Sequence, residues 1–82
     1  MVAETVGVAG RDSRAQRYDR AIAALKDARK KAGITQAELG ERLGTRQQFV
    51  SKYECGERRL DVIEFLDVAS ALGVDARLIL DI

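Results

Sequence analysis

With 82 residues, the chain is long enough for one domain with a modest hydrophobic core, and we expect no second domain. Its composition, 46% hydrophobic and 33% charged, is that of a soluble globular protein and not of a disordered segment or a disulfide scaffold. No apolar run approaches the roughly 20 residues of a membrane span, and the N-terminus lacks the basic and apolar regions of a secretory signal. We therefore expect a cytoplasmic protein that makes no contact with a membrane.

The charge is distributed unevenly along the chain. The net charge of +1 gives little support to nucleic-acid binding, because strong binders often carry a large positive excess. Residues 1–34, however, hold eight Lys or Arg against four Asp or Glu, residues 35–60 hold five against four, and residues 61–82 hold one against five. The basic part is suited to meet phosphates and the acidic end is not. Ordinary solvated helix faces explain the same pattern equally well.

The first predicted element is a long helix. Residues 1–12 are small or β-branched, contain two glycines and show no clear period, so they predict a flexible N-terminal arm ahead of an ordered domain at residues 13–82. Ser13 and Gln16 have the spacing of a capping box, and apolar residues then recur at helical intervals. The sequence therefore predicts a first helix over residues 14–32.

Two short helices are predicted next. Thr35 and Glu38 form another capping-box pattern that predicts a helix over residues 36–43, and Gly44 then breaks it. Thr45 is a favourable N-cap for a third helix. The positions predicted to face inward are Ala37, Leu39 and Leu43 in the second helix and Phe49, Val50 and Tyr53 in the third. The opposite, polar side of the third helix comprises Arg46, Gln47, Gln48, Ser51 and Lys52.

A fourth and a fifth helix complete the chain. Asp61 is predicted to cap a fourth helix that ends at Gly73 and carries the widest apolar stripe, so we expect it to be the central and most buried helix. That stripe comprises Val62, Ile63, Phe65, Leu66, Val68, Ala69 and Leu72. Asp75 caps a short fifth helix over residues 76–80, whose apolar side chains either close the core or face a partner. The fold class predicted is an all-α, compact five-helix bundle.

The second and third predicted helices have the pattern of a helix-turn-helix. This motif packs two short helices near a right angle, so it requires a small residue where they cross, a glycine in the turn and apolar residues at fixed positions. Gly40 is the small residue and Gly44 the turn glycine, while the apolar positions are Leu39, Leu43, Val50 and Tyr53. Agreement at all of these positions together predicts the motif, although any one alone also suits an ordinary helical hairpin.

The chain from about residue 29 to residue 80 resembles the Xre-type, lambda-repressor-like family, which includes the lambdoid phage repressors and Cro proteins. The matching motifs are TQAEL at 35–39, LGT at 43–45, QQ at 47–48, YE at 53–54, Gly56 and ASALGV at 69–74. The segment GTRQQ is similar to the start of the recognition helix in one such repressor. The resemblance implies a domain that binds near-palindromic double-stranded operator DNA as a homodimer, usually to repress transcription.

The resemblance implies that Gln47 and Gln48 contact base edges. A carboxamide presents a donor and an acceptor together, which fits the N6 and N7 atoms of adenine. Arg46 and Lys52, also expected to face bases, differ from the residues of the phage repressor and predict a different operator. Arg46 suits either guanine or a phosphate, and both alternatives stay open. The residues expected to contact phosphates are Gln36, Thr45, Ser51, Arg58 and Arg59.

Other positions carry more than one interpretation. Gln36 is either a phosphate contact at a helix start or an ordinary exposed glutamine. Arg58 and Arg59 lie in a loop one residue longer than that of the phage repressor, and each is equally well a solvated arginine. The resemblance implies that Arg29 and Glu54 form a structural ion pair. We assign Cys55 only local packing, since one cysteine without histidine builds no familiar metal or nucleophilic site.

Two other classes of function compete with DNA binding. We expect no enzyme, no cofactor and no metal, because the sequence has no histidine, no glycine-rich phosphate loop and no recognisable carboxylate pair. The second hypothesis is a protein-interaction module whose function lies in the apolar C-terminal residues LILDI and whose helix-turn-helix no longer binds DNA, or an antitoxin-type protein that binds a toxin or another regulatory partner. The modest net charge favours that hypothesis, and the TRQQ start of the third helix opposes it.

Overall fold

The computed structural model describes residues 13–81, so the arm predicted at residues 1–12 lies outside the described residues. The described residues form five α-helices and no β-strand, which confirms the predicted fold class. The helices are α1 (Arg14–Lys31), α2 (Gln36–Leu43), α3 (Gln47–Glu54), α4 (Val62–Leu72) and α5 (Ala76–Leu80). No helix between residues 13 and 81 has the length and apolarity needed to cross a membrane.

Capping boxes begin three of the helices. The side chains of Ser13, Thr35 and Asp61 each accept a hydrogen bond from the backbone N–H three residues later, at 3.1, 3.0 and 2.7 Å. The side chain at that third position returns a bond to the capping residue in each case. These reciprocal bonds satisfy N–H groups that a helix start leaves free. As a result, α1, α2 and α4 begin where the sequence predicts.

The predicted N-cap of α3 is wrong by one residue. Arg46, not Thr45, occupies the N-cap position, with φ −98° and ψ 158°, and no side chain caps the helix. The reason lies at the end of α2, where Gly44 adopts a left-handed conformation with φ 71°. The N–H of Thr45 then donates to the carbonyl of Gly40 at 2.9 Å, so Thr45 still belongs to the end of α2.

The core lies between α1, α2, α3 and α4. Its buried hydrophobic residues are Ala21, Ile22, Leu25, Ile34, Leu39, Val50, Tyr53, Phe65, Val68, Ala69 and Leu72. Leu43 and Phe49 are half-buried against it. The inward prediction for Ala37 is wrong, because this residue is exposed. One helix face suffices to cover so small a core, and Ala37 lies off that face.

As expected, α4 has the largest share of buried residues of the five helices, four of its eleven, but part of its predicted apolar stripe is not buried. Phe65, Val68, Ala69 and Leu72 face the core, in the i, i+3, i+4, i+7 pattern of one helix face. The rest of the predicted apolar stripe is exposed: Val62 to 74%, Ile63 to 64% and Leu66 to 45%. α4 therefore carries a buried apolar face beside an exposed one.

The crossing of α2 and α3 depends on Gly40. A Cβ atom at this position would lie 3.0 Å from the carbonyl carbon of Arg46 and 3.2 Å from the backbone nitrogen of Gln47. Those distances are shorter than ordinary van der Waals contact, so the hydrogen of Gly40 lets the two backbones meet. This close approach sets where α3 begins and which of its sides faces outward.

Candidate nucleic-acid interface

The polar face of α3 projects away from the core and comprises Arg46, Gln47, Gln48, Ser51 and Lys52. Ser51 is half-buried and the other four residues are exposed, whereas Val50 and Tyr53 on the opposite side are completely buried. The buried side thus fixes the rotation of the helix about its own axis. The predicted base-contacting residues and Ser51 therefore share one outward face.

The side chains of this polar face are available to a ligand. Among residues 13–81, the amides of Gln47 and Gln48 and the charged groups of Arg46 and Lys52 make no hydrogen bond or ion pair with the protein. Each carboxamide therefore offers two N–H donors and one acceptor oxygen. Two uncompensated cations flank these amides, so the face is both positively charged and rich in hydrogen-bonding groups. Thr45, the predicted phosphate contact in the preceding turn, is exposed beside it.

A buried ion pair ties α3 to the first helix. The Nε of Arg29 donates to Oε2 of Glu54 at 2.7 Å, and Nη2 of Arg29 donates to Oε1 at 3.0 Å. The third donor, Nη1, binds the backbone carbonyl of Ile34 at 2.8 Å. The side chains of Arg29 and Glu54 are only 9% and 1% exposed. This two-pronged pair joins the last turn of α1 to the last residue of α3.

Gln36 takes part in the same network. Its Nε2 donates to Oε1 of Glu54 at 2.9 Å, which connects the first residue of α2 to the end of α3. The side chain is half-buried, so the interpretation as an ordinary exposed glutamine does not hold. One amide hydrogen serves Glu54, and the other is free for the predicted phosphate contact. The network therefore orients the two helices of the motif together.

Burial and the interactions within this pair shift the pKa values of Glu54 and Arg29 in opposite directions. Burial raises the pKa of Glu54, but the hydrogen bonds from Arg29 and Gln36 lower it by more, and the net direction is below the usual 4.5. The hydrogen bond to Glu54 raises the pKa of Arg29. Both groups are therefore charged at neutral pH. The pair acts as a fixed structural connection, as the resemblance implies.

The two arginines of the loop between α3 and α4 have different surroundings. Arg58 donates from Nη1 and Nη2 to the carboxylate of Glu64 at 2.9 and 2.7 Å, and its guanidinium lies 4.8 Å from the ring centre of Phe49. These hydrogen bonds, together with one from the backbone of Asp61, lower the pKa of Glu64 to about 2. Arg59 lies 3.9 Å above the ring of Tyr18.

Sequence reasoning did not identify Tyr18 or Glu64 as part of this region. Tyr18 belongs to the apolar stripe of α1, yet its hydroxyl accepts a hydrogen bond from the N–H of Leu60 at 2.9 Å. The two residues are 42 positions apart, so no local spacing rule reveals the contact. Glu64 is the last residue of the capping box that begins at Asp61, but its pairing with Arg58 depends on the path of the loop.

A model of the helix-turn-helix family matches residues 25–79, which is more than half of the chain. The chain belongs to the Xre-type helix-turn-helix family. It is 52% identical to an XRE-family like protein of Pseudomonas syringae pv. tomato, with a TM-score of 0.75 over 79% of this chain and 81% of that one. It is also 44% identical over 46 residues to an uncharacterised HTH-type transcriptional regulator of Sinorhizobium fredii. That match covers 56% of this chain and 60% of the relative.

In this Xre-type motif, α2 is the first helix and α3 is the recognition helix. The family match begins at Leu25, so the part of α1 from residue 14 to residue 24 precedes it. Tyr18 lies in this leading part of the helix. Tyr18 therefore lies outside the matched residues, although it contacts the loop after α3.

Proposed function

We propose that the chain is a sequence-specific double-stranded DNA-binding regulator of transcription that inserts α3 into the major groove. The observation that carries the proposal is the polar face of α3, in which exposed amides and cations lack partners among the described residues. A recognition helix needs such groups, because the major groove presents a distinct donor and acceptor pattern at each base pair. The proposal assigns no catalytic activity to the chain.

The residues of the polar face have separate roles in this proposal. Gln47 and Gln48 contact base edges, with adenine as the best match to a carboxamide. Arg46 and Lys52 contact guanine or the adjacent phosphates, and both differ from the related phage repressor. These four side chains set the preferred operator sequence.

Phosphate contacts hold the helix in position on the duplex. Thr45 lies in the turn, Ser51 lies in α3, and Gln36 is the first residue of α2. All three lie around the base-contacting residues. Their hydroxyl and amide groups suit phosphate oxygens, and the free N–H groups at a helix start favour an anion there. These contacts position the protein and carry no base preference of their own.

We also propose that two copies bind one near-palindromic operator and repress transcription by occupying it. Two recognition helices of a symmetric dimer then enter successive major grooves, roughly 34 Å apart. Leu66, Leu78 and Leu80 are 45%, 80% and 39% exposed and supply an apolar surface for the second copy. Sedimentation velocity at micromolar concentration, with and without operator, tests this part. A strict monomer under both conditions would contradict it.

Selection from a random duplex library tests the DNA-binding proposal and identifies the operator in one experiment. The wild-type protein is incubated with the library at low salt, and the bound duplexes are sequenced over several rounds. We expect enrichment of two related half-sites about one helical turn apart. Failure to retain any duplex at low salt would contradict DNA binding.

One observation favours a second candidate, a module that binds another protein. Val62 and Ile63 are exposed on α4 in addition to the leucines of α4 and α5. Exposed apolar groups of this kind are typical of interaction surfaces. In that case the apolar C-terminal part binds a regulatory partner such as a toxin, with or without DNA binding by α3. Replacement of Val62 and Ile63 by serine then abolishes partner binding without affecting any binding to DNA.

A further inference from the structure

The two loop arginines differ in how much of their charge is available. Arg58 directs both terminal nitrogens at the carboxylate of Glu64, at 2.9 and 2.7 Å. Its Nη1 also donates to the backbone carbonyl of Arg59 at 3.0 Å. A phosphodiester carries a single negative charge, as a carboxylate does. Arg58 would therefore gain little binding free energy by leaving Glu64 for a DNA phosphate. Arg58 is therefore poorly suited to add a DNA contact.

Arg59 has the opposite arrangement. Its guanidinium lies 3.9 Å from the ring centre of Tyr18, and among residues 13–81 it has no carboxylate partner. A cation held over an aromatic face keeps its full charge, and the N–H groups at the edge of the guanidinium plane remain available. Arg59 is thus both held in place and free to bind an anion.

Tyr18 holds this part of the loop by two contacts. Its ring supports the Arg59 side chain, and its hydroxyl accepts the N–H of Leu60, the next residue, at 2.9 Å. Tyr18 itself is half-buried against the core on a long helix with a capping box at its start. The loop is therefore attached to the long helix α1 at the residue that follows Arg59.

We propose that Arg59 is the phosphate-contacting cation of this loop and that Tyr18, in the leading part of α1, is its positioning residue. The inference rests on the proposed DNA-binding function and extends the interface to a part of α1 that precedes the family match. It also separates the two arginines, which the sequence alone left equivalent. Arg58 stabilises the loop through Glu64, and Arg59 binds the DNA backbone.

The salt dependence of DNA affinity tests this assignment, because each phosphate contact contributes about 0.9 to the slope of log K against log salt concentration. Affinities of the wild type and variants are measured by fluorescence anisotropy on the selected duplex and on a scrambled one. Arg59→Gln is expected to make the negative slope about 0.9 less steep. It should also weaken binding to both duplexes by about eightfold at 0.1 M salt. The paired control Arg58→Gln with Glu64→Gln leaves the net charge unchanged, and we expect it to keep the wild-type slope.

The Tyr18 variants separate positioning from simple stabilisation. Tyr18→Leu removes the ring and is expected to lower the slope toward the Arg59→Gln value, with no further decrease when both changes are combined. Tyr18→Phe keeps the ring and is expected to retain the slope. Circular dichroism melts identify a temperature at which all variants are folded, since a change in stability alone does not alter the number of phosphate contacts.

Three results overturn the inference or its basis. A Tyr18→Leu protein with the full wild-type slope shows that Tyr18 does not position Arg59. A less steep slope in the Arg58 and Glu64 double variant, together with a wild-type slope in Arg59→Gln, assigns the phosphate contact to Arg58 instead. Absence of any binding by the wild type overturns the proposed function itself, and the inference with it.

Discussion

Replacement of Glu54 by glutamine is expected to destabilise the domain severely. The Glu54 carboxylate accepts two hydrogen bonds from Arg29 and one from Gln36, and its side chain is 1% exposed. In the Glu54→Gln protein an NH₂ group replaces one acceptor oxygen and meets N–H donors. Arg29 then keeps its buried positive charge and loses the opposite charge that compensated it.

The expected cost is about 3–5 kcal/mol, the usual penalty for removing one partner of a buried pair. A domain of this size has a total stability of roughly 5–15 kcal/mol, so the variant loses a large part of it. For a small domain each kcal/mol lowers Tm by about 4–8 °C, so we expect a decrease of at least about 12 °C. Urea unfolding at pH 7, followed by circular dichroism at 222 nm, measures the free energy of unfolding directly.

Glu41→Gln is the matched control, because Glu41 is an exposed glutamate on α2 and the chemical change is the same. We expect its free energy of unfolding to lie within about 0.5 kcal/mol of the wild type. Simultaneous replacement of Arg29 by methionine and Glu54 by leucine removes both charges and should recover most of the loss. A Glu54→Gln protein as stable as the Glu41→Gln protein would refute the structural role of the pair.

Further predictions concern the core, the crossing and the pH dependence. Gly40→Val places methyl groups against the backbone of Arg46, where a Cβ already lies at 3.0 Å, and should cost about 1–3 kcal/mol in urea unfolding; an unchanged stability would contradict the close crossing. Tyr53→Phe should raise stability by about 1 kcal/mol, because the buried Tyr53 hydroxyl has no hydrogen-bond partner among residues 13–81; a loss of more than about 1 kcal/mol would indicate a partner. Folding lowers the pKa of Glu54 and that of Glu64 from 4.5, the latter to about 2, so the stabilising contributions of both carboxylates are complete above pH 4.5 and decrease as the pH falls below it; the Glu64 contribution is lost as the pH reaches about 2. Urea unfolding between pH 6 and pH 2 should show this decrease, and Glu64→Gln should reduce it; an identical pH profile for Glu64→Gln would contradict the pairing with Arg58.

The parts of the fold that depend on local chemistry were predictable from the sequence. A capping box spans four consecutive residues, so Ser13, Thr35 and Asp61 mark the starts of their helices without knowledge of the tertiary structure. The start of α3 was not predictable in this way. Its position depends on the contact between Gly40 and Arg46, which is a property of the packed helices.

The burial of side chains was likewise predictable only where it depends on local sequence and not on the packing of the helices. Hydrophobic periodicity identifies the apolar faces of α4, but it does not state how many of them a neighbouring helix covers. Val62 and Ile63 therefore looked like core residues and are exposed. At the candidate interface, the Arg29–Glu54 pair was expected only from the family resemblance, because the residues are 25 positions apart. The contact of Tyr18 with Leu60 had no such guide.

Parallel selections with the wild-type and Gln47→Ala proteins test whether the polar face of α3 contacts bases. We expect the wild type to select a motif of two half-sites and the variant to lose preference at one base pair in each half-site. On the wild-type motif, Gln47→Ala should cost about 1–3 kcal/mol, with little change on a scrambled duplex. Identical motifs from the two proteins, or an equal loss of affinity on both duplexes, would contradict base contact by Gln47.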